Sequence, residues 1–231
     1  LDAEAGLHNP LRFFYLIMNP GSVMTLGVYF ICVFMPVSIA AALLEVLRRP
    51  VPKWLTWTGI VSAFCVAAYT GFLLGVVSAY PLWNNAILPV LFVVSALSAG
   101  LAATSLGGLI TDRERFEQMW LIKKSHVILS AIEMVVLATM LIIVSSGSPE
   151  GAASVASLVS GQYAPMFWGG LVLLGLVAPF AIEGYPVFVT RKVETSTTSM
   201  VVSVIGEGGV LVGGFMLRLL VILAALPVLY L

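Results

Sequence analysis

Residues 86–110 read AILPVLFVVSALSAGLAATSLGGLI, a run that holds no charged side chain. A helix rises about 1.5 Å per residue, so such a run crosses the roughly 30 Å of a bilayer's hydrocarbon. It is far longer than a barrel strand and lacks strict alternation, and lipid offers the backbone no hydrogen-bond partner, so a helix is the consistent reading. The same criterion selects 22–46, 55–80, 125–146, 165–186 and 205–230. The expected fold class is all-α: a polytopic bundle of six transmembrane helices forming a single domain over residues 1–231.

Composition agrees. The 231 residues are 60% apolar and only 10% charged, against about 25% charged in a soluble domain. Net charge is zero and no basic block stands out, which excludes the electrostatic footprint of a nucleic-acid binder. Cys32 and Cys65 fall inside apolar runs and read as small hydrophobes; two cysteines cannot ligate an iron–sulfur cluster. The chain opens on Leu1 with no basic n-region or cleavage site, so no signal peptide is expected and the natural N-terminus is expected to lie upstream.

The connections set an orientation. Arg48, Arg49, Lys53, Arg113, Arg115, Lys123, Lys124, Arg191 and Lys192, nine of the eleven basic residues, lie in or beside the first, third and fifth connections. The positive-inside rule makes that side cytoplasmic and puts the turn 79–85, the Gly- and Ser-rich loop 145–165 and both ends outside. Trp54, Trp83, Trp120, Tyr163, Trp168, Tyr185 and Tyr230 fall near predicted helix ends, at headgroup depth. Small residues such as Gly107-Gly108, Gly169-Gly170 and Gly213-Gly214 allow close helix approach, so a compact bundle is expected.

Two ionisable groups lie deep in the predicted spans. Glu133 stands about eight residues, roughly 12 Å, into the fourth, and Arg218 falls near the middle of the last. A charge at a helix centre costs at least about 2.5 kcal/mol on insertion scales, so both should face the bundle interior and find partners. They read either as a proton relay or quinone-site charge, or as a structural pair that fixes helix register. Glu45, Glu183 and Glu207 lie near predicted cytoplasmic ends and read as interface charges, although a chain of carboxylates leading inward to Glu133 would form a proton entry path. Tyr69 falls in the second span, where a phenol needs a hydrogen-bond partner; a quinone carbonyl or a neighbouring helix would serve.

His8 and His126 are placed near opposite membrane surfaces and cannot ligate one haem between them, which argues against a cytochrome b-type subunit. Either could assist proton transfer near neutral pH. Spacing along the chain shows no Walker loop, metal-ligand cluster or Gly-x-Ser-x-Gly elbow.

The run Ala68-Tyr-Thr-Gly-Phe-Leu-Leu74, followed by Tyr80-Pro-Leu-Trp-Asn-Asn-Ala-Ile-Leu-Pro-Val-Leu-Phe92 and Ser95-Ala-Leu-Ser-Ala-Gly100, closely resembles the NrfD/PsrC family of polysulfide-reductase and nitrite-reductase membrane subunits. Asn9-Pro-Leu-Arg-Phe13, Ser22-Val-Met-Thr-Leu-Gly27, Phe167-Trp168, Gly175-Leu-Val-Ala-Pro179 and Leu211-Val-Gly-Gly-Phe-Met-Leu-Arg218 match in the same order. Family members typically have eight or more helices, so the resemblance implies that this chain holds the third to eighth and lacks the first two, with the part of the quinone pocket that the first supplies.

The resemblance further implies a haem-free subunit of a respiratory oxidoreductase in a bacterial or archaeal cytoplasmic membrane, reactive with menaquinone or ubiquinone. Its partner would be a four-cluster iron–sulfur protein leading to a molybdopterin or multihaem cytochrome subunit. Tyr69, with His8, Arg12, Trp83 and Asn84, would then hold the quinone, and Glu133, Arg218 and His126 would transfer protons. Two alternatives fit the same sequence: a secondary transporter, against which stands the lack of an internal repeat with matching Pro36, Pro89, Pro179 and Pro227, and a membrane anchor without a quinone of its own.

Overall fold

The computed structural model describes residues 18, 21–111, 119–185, 188 and 197–226; His8 and Arg12 lie outside them. The described residues form helices α1 (Val23–Val46), α2 (Lys53–Gly75), α3 (Ile87–Thr111), α4 (Met119–Gly147), α5 (Pro149–Val159), α6 (Met166–Val177), α7 (Ala178–Tyr185) and α8 (Thr197–Leu223). Six stretches are long and apolar enough to cross a bilayer, with α6 and α7 running together as one. The all-α, six-span architecture is thus what the chain adopts. It divides into two compact units, Leu1–Leu74 and Gly75–Leu231.

In the first unit, α1 ends in a Schellman motif. Arg49 N–H donates to the Leu44 carbonyl at 2.8 Å and Arg48 N–H to Glu45 at 2.9 Å, with Arg48 in the left-handed region at φ 53°. That conformation costs a non-glycine residue roughly 1–2 kcal/mol, and Pro50 then prevents the helix from resuming. The Tyr69 ring of α2 covers Gly27 of α1, occupying the place where a Cβ would stand. Met35, Leu43, Trp57 and Phe64 point outward, as lipid-facing side chains do. Hydroxyls on such surfaces fold back on their own helix: Thr58 donates to the Trp54 carbonyl at 2.8 Å, which hides the polar group from hydrocarbon.

In the second unit, α3, α4, α8 and the α6–α7 span pack as a bundle, with α3 against both α4 and α8, and α8 against α6 and α7. Asn85 starts α3: its Oδ1 accepts the backbone N–H groups of Ile87 at 3.1 Å and Leu88 at 2.9 Å, satisfying two of the donors that a helix start leaves open. The buried face of α4 runs through Lys123, His126, Ser130, Glu133, Leu137, Met140 and Val144, and that of α8 through Ser203, Glu207, Val210, Gly214, Leu217 and Val221. Both follow the three-and-four spacing of a helix seam.

α6 is a π-helix; its last bond runs from the Ala178 N–H back to the Leu173 carbonyl, five residues away. Such helices are rare and short because their geometry is poorer than that of the α-helix. Pro179 has no N–H to give the carbonyls behind it, and the Leu174 carbonyl projects to where a Cβ on Gly209 of α8 would stand. One turn on, Gly175 and Gly213 meet backbone to backbone, the close approach that small residues permit in membranes.

The helix bounds differ from the apolar runs: α2 ends at Gly75, short of the expected 80, and α8 at Leu223, short of the expected 230. α4 begins at Met119 and α8 at Thr197, each well before the run read from the sequence, and the added turns carry the buried Lys123 and Ser203. The expected loop 145–165 contains α5, which Ser148 caps by accepting the Gly151 N–H at 3.0 Å and Pro149 opens. Ser154 of α5 is fully buried, and its Oγ accepts the Leu226 N–H at 3.1 Å, fastening the loop to the segment beyond α8.

Candidate functional site

The earlier helix starts relocate every ionisable group on α4 and α8. Glu133 is the central residue of α4, deeper than the apolar run implied. Arg218 lies five residues before Leu223 at the end of α8, so it is not at the middle of its helix. His126, read as a surface histidine, is buried a turn or two inside α4. Glu183 and Glu207, read as interface charges, are 1% and 0% exposed.

These groups form a column inside the second unit. At one end Lys123 Nζ donates to Ser203 Oγ at 2.8 Å. Next, His126 Nδ1 stands 2.8 Å from Glu183 Oε2 and 3.2 Å from Glu207 Oε2, so α4, α7 and α8 converge on one imidazole. Ser98 and Ser105 of α3 lie alongside, Ser98 by His126 and Ser105 by Glu207. Two turns further along α4, Glu133 faces Ser95 and Ser98, with Arg218 and His126 as the charges acting on it. From Lys123 to Glu133 the column spans about 15 Å along α4, about half of a bilayer's hydrocarbon.

Arg218 closes the column. Its Nη1 donates to the Gly214 carbonyl at 2.7 Å, and its guanidinium sits over the Phe92 ring at 5.6 Å from the centroid, within cation–π range. A Cβ on Gly214 would stand 3.4 Å from Arg218 Nη1 and 3.6 Å from Ser95 Oγ, so the bare glycine is where α3 and the guanidinium come together.

The buried hydroxyls of Ser95 and Ser98 stand against Glu133, that of Ser105 stands against Glu207, and the Ser98 backbone lies by His126. Buried polar groups are ordinarily paired. Along this seam the polar side chains meet groups of other helices, whereas the outward hydroxyls of the same helices fold back on their own backbone: Thr104 on α3 donates to the Gly100 carbonyl at 2.8 Å and Thr139 on α4 to Val135 at 2.7 Å.

The residues expected to hold a quinone are placed as follows. Tyr69 is half-buried in the first unit, its hydroxyl 3.4 Å from the Met24 carbonyl, a long contact. Trp83 belongs to the second unit; its Nε1 donates to the Val221 carbonyl at 2.7 Å and its ring lies 4.2 Å from that of Tyr80. Asn84 is exposed in the turn before α3, its backbone N–H donating to Tyr80 at 2.9 Å.

Sequence reading missed Glu183 and Glu207 as partners of His126. The available signal was the seam spacing of Lys123, His126, Ser130 and Glu133, which puts four polar residues on one face of an otherwise apolar helix. Which residues of other helices that face meets is not a local property.

A family model described as Polysulphide reductase, NrfD, matches residues 6–229. The sequence is 30% identical over 203 residues to the C chain of polysulfide reductase from Wolinella succinogenes, covering 77% of this protein and 63% of that one. It is 30% identical over 182 residues to protein NrfD of Escherichia coli, covering 77% and 54%, and 28% identical over 166 residues to a protein NrfD homolog of Haemophilus influenzae, covering 71% and 50%. The chain therefore spans from half to under two thirds of the length of these curated relatives. No solved structure matches it. With a match that runs over nearly its whole length, the chain belongs to the NrfD family of polysulphide reductase proteins.

Proposed function

We propose that this chain is the membrane subunit of a respiratory oxidoreductase in a bacterial or archaeal cytoplasmic membrane, exchanging electrons between menaquinone or ubiquinone and an iron–sulfur partner subunit. That partner would connect it to a molybdopterin or multihaem cytochrome subunit. Family membership supports the reading, as does the name of the Wolinella relative, which makes it one of several chains of a polysulfide reductase. The observation that carries it is Glu133, 4% exposed at the centre of α4 and joined by the polar column to Lys123. A carboxyl so deep in a membrane helix is costly, and one kept there with polar partners is by default a candidate for a proton or substrate path.

A bound quinone supplies coupled two-electron and two-proton chemistry. Of the residues that would hold it, Tyr69 has a hydroxyl engaged only by a 3.4 Å contact to the Met24 carbonyl, weak enough to be exchanged for a carbonyl oxygen of the ligand. Asn84 offers an exposed amide. Trp83 has its N–H committed to Val221, so it would contribute ring surface and not a donor. Glu133, His126 and Arg218 would then hold and pass protons, with the hydroxyls of Ser95, Ser98 and Ser105 as donors and acceptors between them.

The test is Tyr69→Phe in the full complex. Assembly should be unchanged while quinol oxidation or quinone reduction falls by about tenfold or more, the rate equivalent of about 1.4 kcal/mol for one lost hydrogen bond. Unaltered turnover would remove Tyr69 from the site.

A further inference from the structure

His126, Glu183 and Glu207 bring one imidazole nitrogen and two carboxylates from three helices to within 4.8 Å of one another, all buried. A single Nδ1–H cannot serve two acceptors well. Nδ1 stands 2.8 Å from Glu183 Oε2 and 3.2 Å from Glu207 Oε2, and the two buried carboxylates lie within 4.8 Å of the imidazole and of each other. Two buried carboxylates so close together repel each other and are costly unless positive charge or a proton lies between them. A cation placed between the three donors would engage all of them at once.

We propose that His126 Nδ1, Glu183 and Glu207 form a binding site for a divalent first-row metal ion of the Zn2+ class. One nitrogen and two carboxylate oxygens are a donor set suited to such ions, and in a tetrahedral Zn2+ site ligand atoms about 2.0–2.2 Å from the metal stand about 3.3 Å from each other. The 3.2 Å between Nδ1 and Glu207 Oε2 is close to that edge, and the 2.8 Å to Glu183 needs a shift of about half an ångström. Ser105 of α3 lies against Glu207, within the shell that orients a metal-bound carboxylate. The ligands sit on helices that tertiary packing holds together, not on loops, so the site is built before the ion arrives.

Lys123 opposes the ion. Its charge acts on both Glu183 and Glu207, one turn from His126 on the same face of α4, while its Nζ donates to Ser203. Two carboxylates and one ammonium leave a single negative charge for a divalent ion, so the lysine should weaken binding without supplying a ligand. This separates a metal site from an ion-pair cluster: in the former, removing Lys123 tightens binding.

The experiment measures Zn2+ alone by equilibrium dialysis against the full-length purified protein in detergent, with X-ray absorption at the zinc edge. One saturable site with one imidazole nitrogen among oxygen ligands is expected. Glu207→Gln and His126→Gln should each weaken it by about a hundredfold, the scale on which metal sites respond to lost support, and Lys123→Met should tighten it by about tenfold. Monodispersity and melting temperature establish that each variant is folded; if Lys123→Met is not, Glu183→Gln takes its place with an expected weakening. No saturable Zn2+ binding at micromolar concentration, affinity unchanged in the folded Gln variants, or a zinc shell without histidine nitrogen would overturn the proposal. The quinone reading has its own test in Tyr69→Phe; a metal ion on His126 would take that imidazole out of the proton path and leave Glu133 and Arg218 in it.

Discussion

His126 Nδ1 lies 2.8 Å from Glu183 Oε2 across 57 residues of sequence, and the contact exists only because α4 and α7 pack side by side. Both side chains are about 1% exposed. The ionisable centre of this protein is therefore a product of helix packing, and perturbing either the packing or the groups should give distinguishable effects.

Replacing Glu133 by Gln keeps the side-chain volume and its contacts with Ser95 and Ser98 but removes the exchangeable carboxyl proton. If the column carries protons to and from the quinone, turnover in proteoliposomes should fall by about a hundredfold, at the lower end of what a positioned acid–base group contributes, and Glu133→Asp should restore part of it. A purely structural Glu133 would instead lower the melting temperature and leave the turnover of the folded fraction normal.

A side chain at position 213 has nowhere to go. The backbone of Gly175 occupies the place of the missing Cβ, and backbone cannot swing aside as a side-chain tip can. Gly213→Val should force α8 away from α6 and destabilise the bundle by about 1–3 kcal/mol or more, the usual cost of overpacking, read as a lower unfolding midpoint in detergent. Gly100→Ala, on α3 where a Cβ meets nothing within 4 Å, is the matched control and should leave the midpoint unchanged or raise it slightly, since alanine favours a helix over glycine.

Gly27→Ala acts on a different target. The new methyl would coincide with the Tyr69 ring, the movable end of a side chain, so the ring should turn away and the fold survive. Quinone turnover should drop alongside that of Tyr69→Phe, and the double variant should be no worse than the worse single one. Additive losses would show that the two positions act separately.

Trp83→Phe deletes the 2.7 Å bond from Nε1 to the Val221 carbonyl while retaining most of the ring surface. The expected cost is about 0.5–1.5 kcal/mol, seen as a modest fall in melting temperature. Because the N–H is already committed within the protein, quinone affinity should change little.

Much of this architecture was legible in the chain. Six spans could be read because the length and apolarity of a segment decide locally whether it can sit in hydrocarbon. Trp54 at the start of α2 sits at a helix end for an equally local reason, the preference of amphipathic rings for the interface. The family resemblance also lay in contiguous motifs, above all those between Ala68 and Gly100.

The inward face of each helix was less legible. In a soluble helix the apolar stripe marks the core, but in lipid both faces are apolar, so periodicity loses its contrast and only the few polar residues carry it. His126 read as a histidine near the membrane surface and Glu207 as an interface charge; both are buried, and the start of α4 at Met119 makes Glu133 its central residue. The π-helical turn of α6, the contact of Gly175 with Gly213, and the meeting of His126 with Glu183 and Glu207 depend on neighbours far away in sequence. Partitioning into a membrane is a sum over one segment, which the amino-acid sequence states outright; the convergence of three helices on one imidazole is a property of their packing, which tertiary structure alone decides.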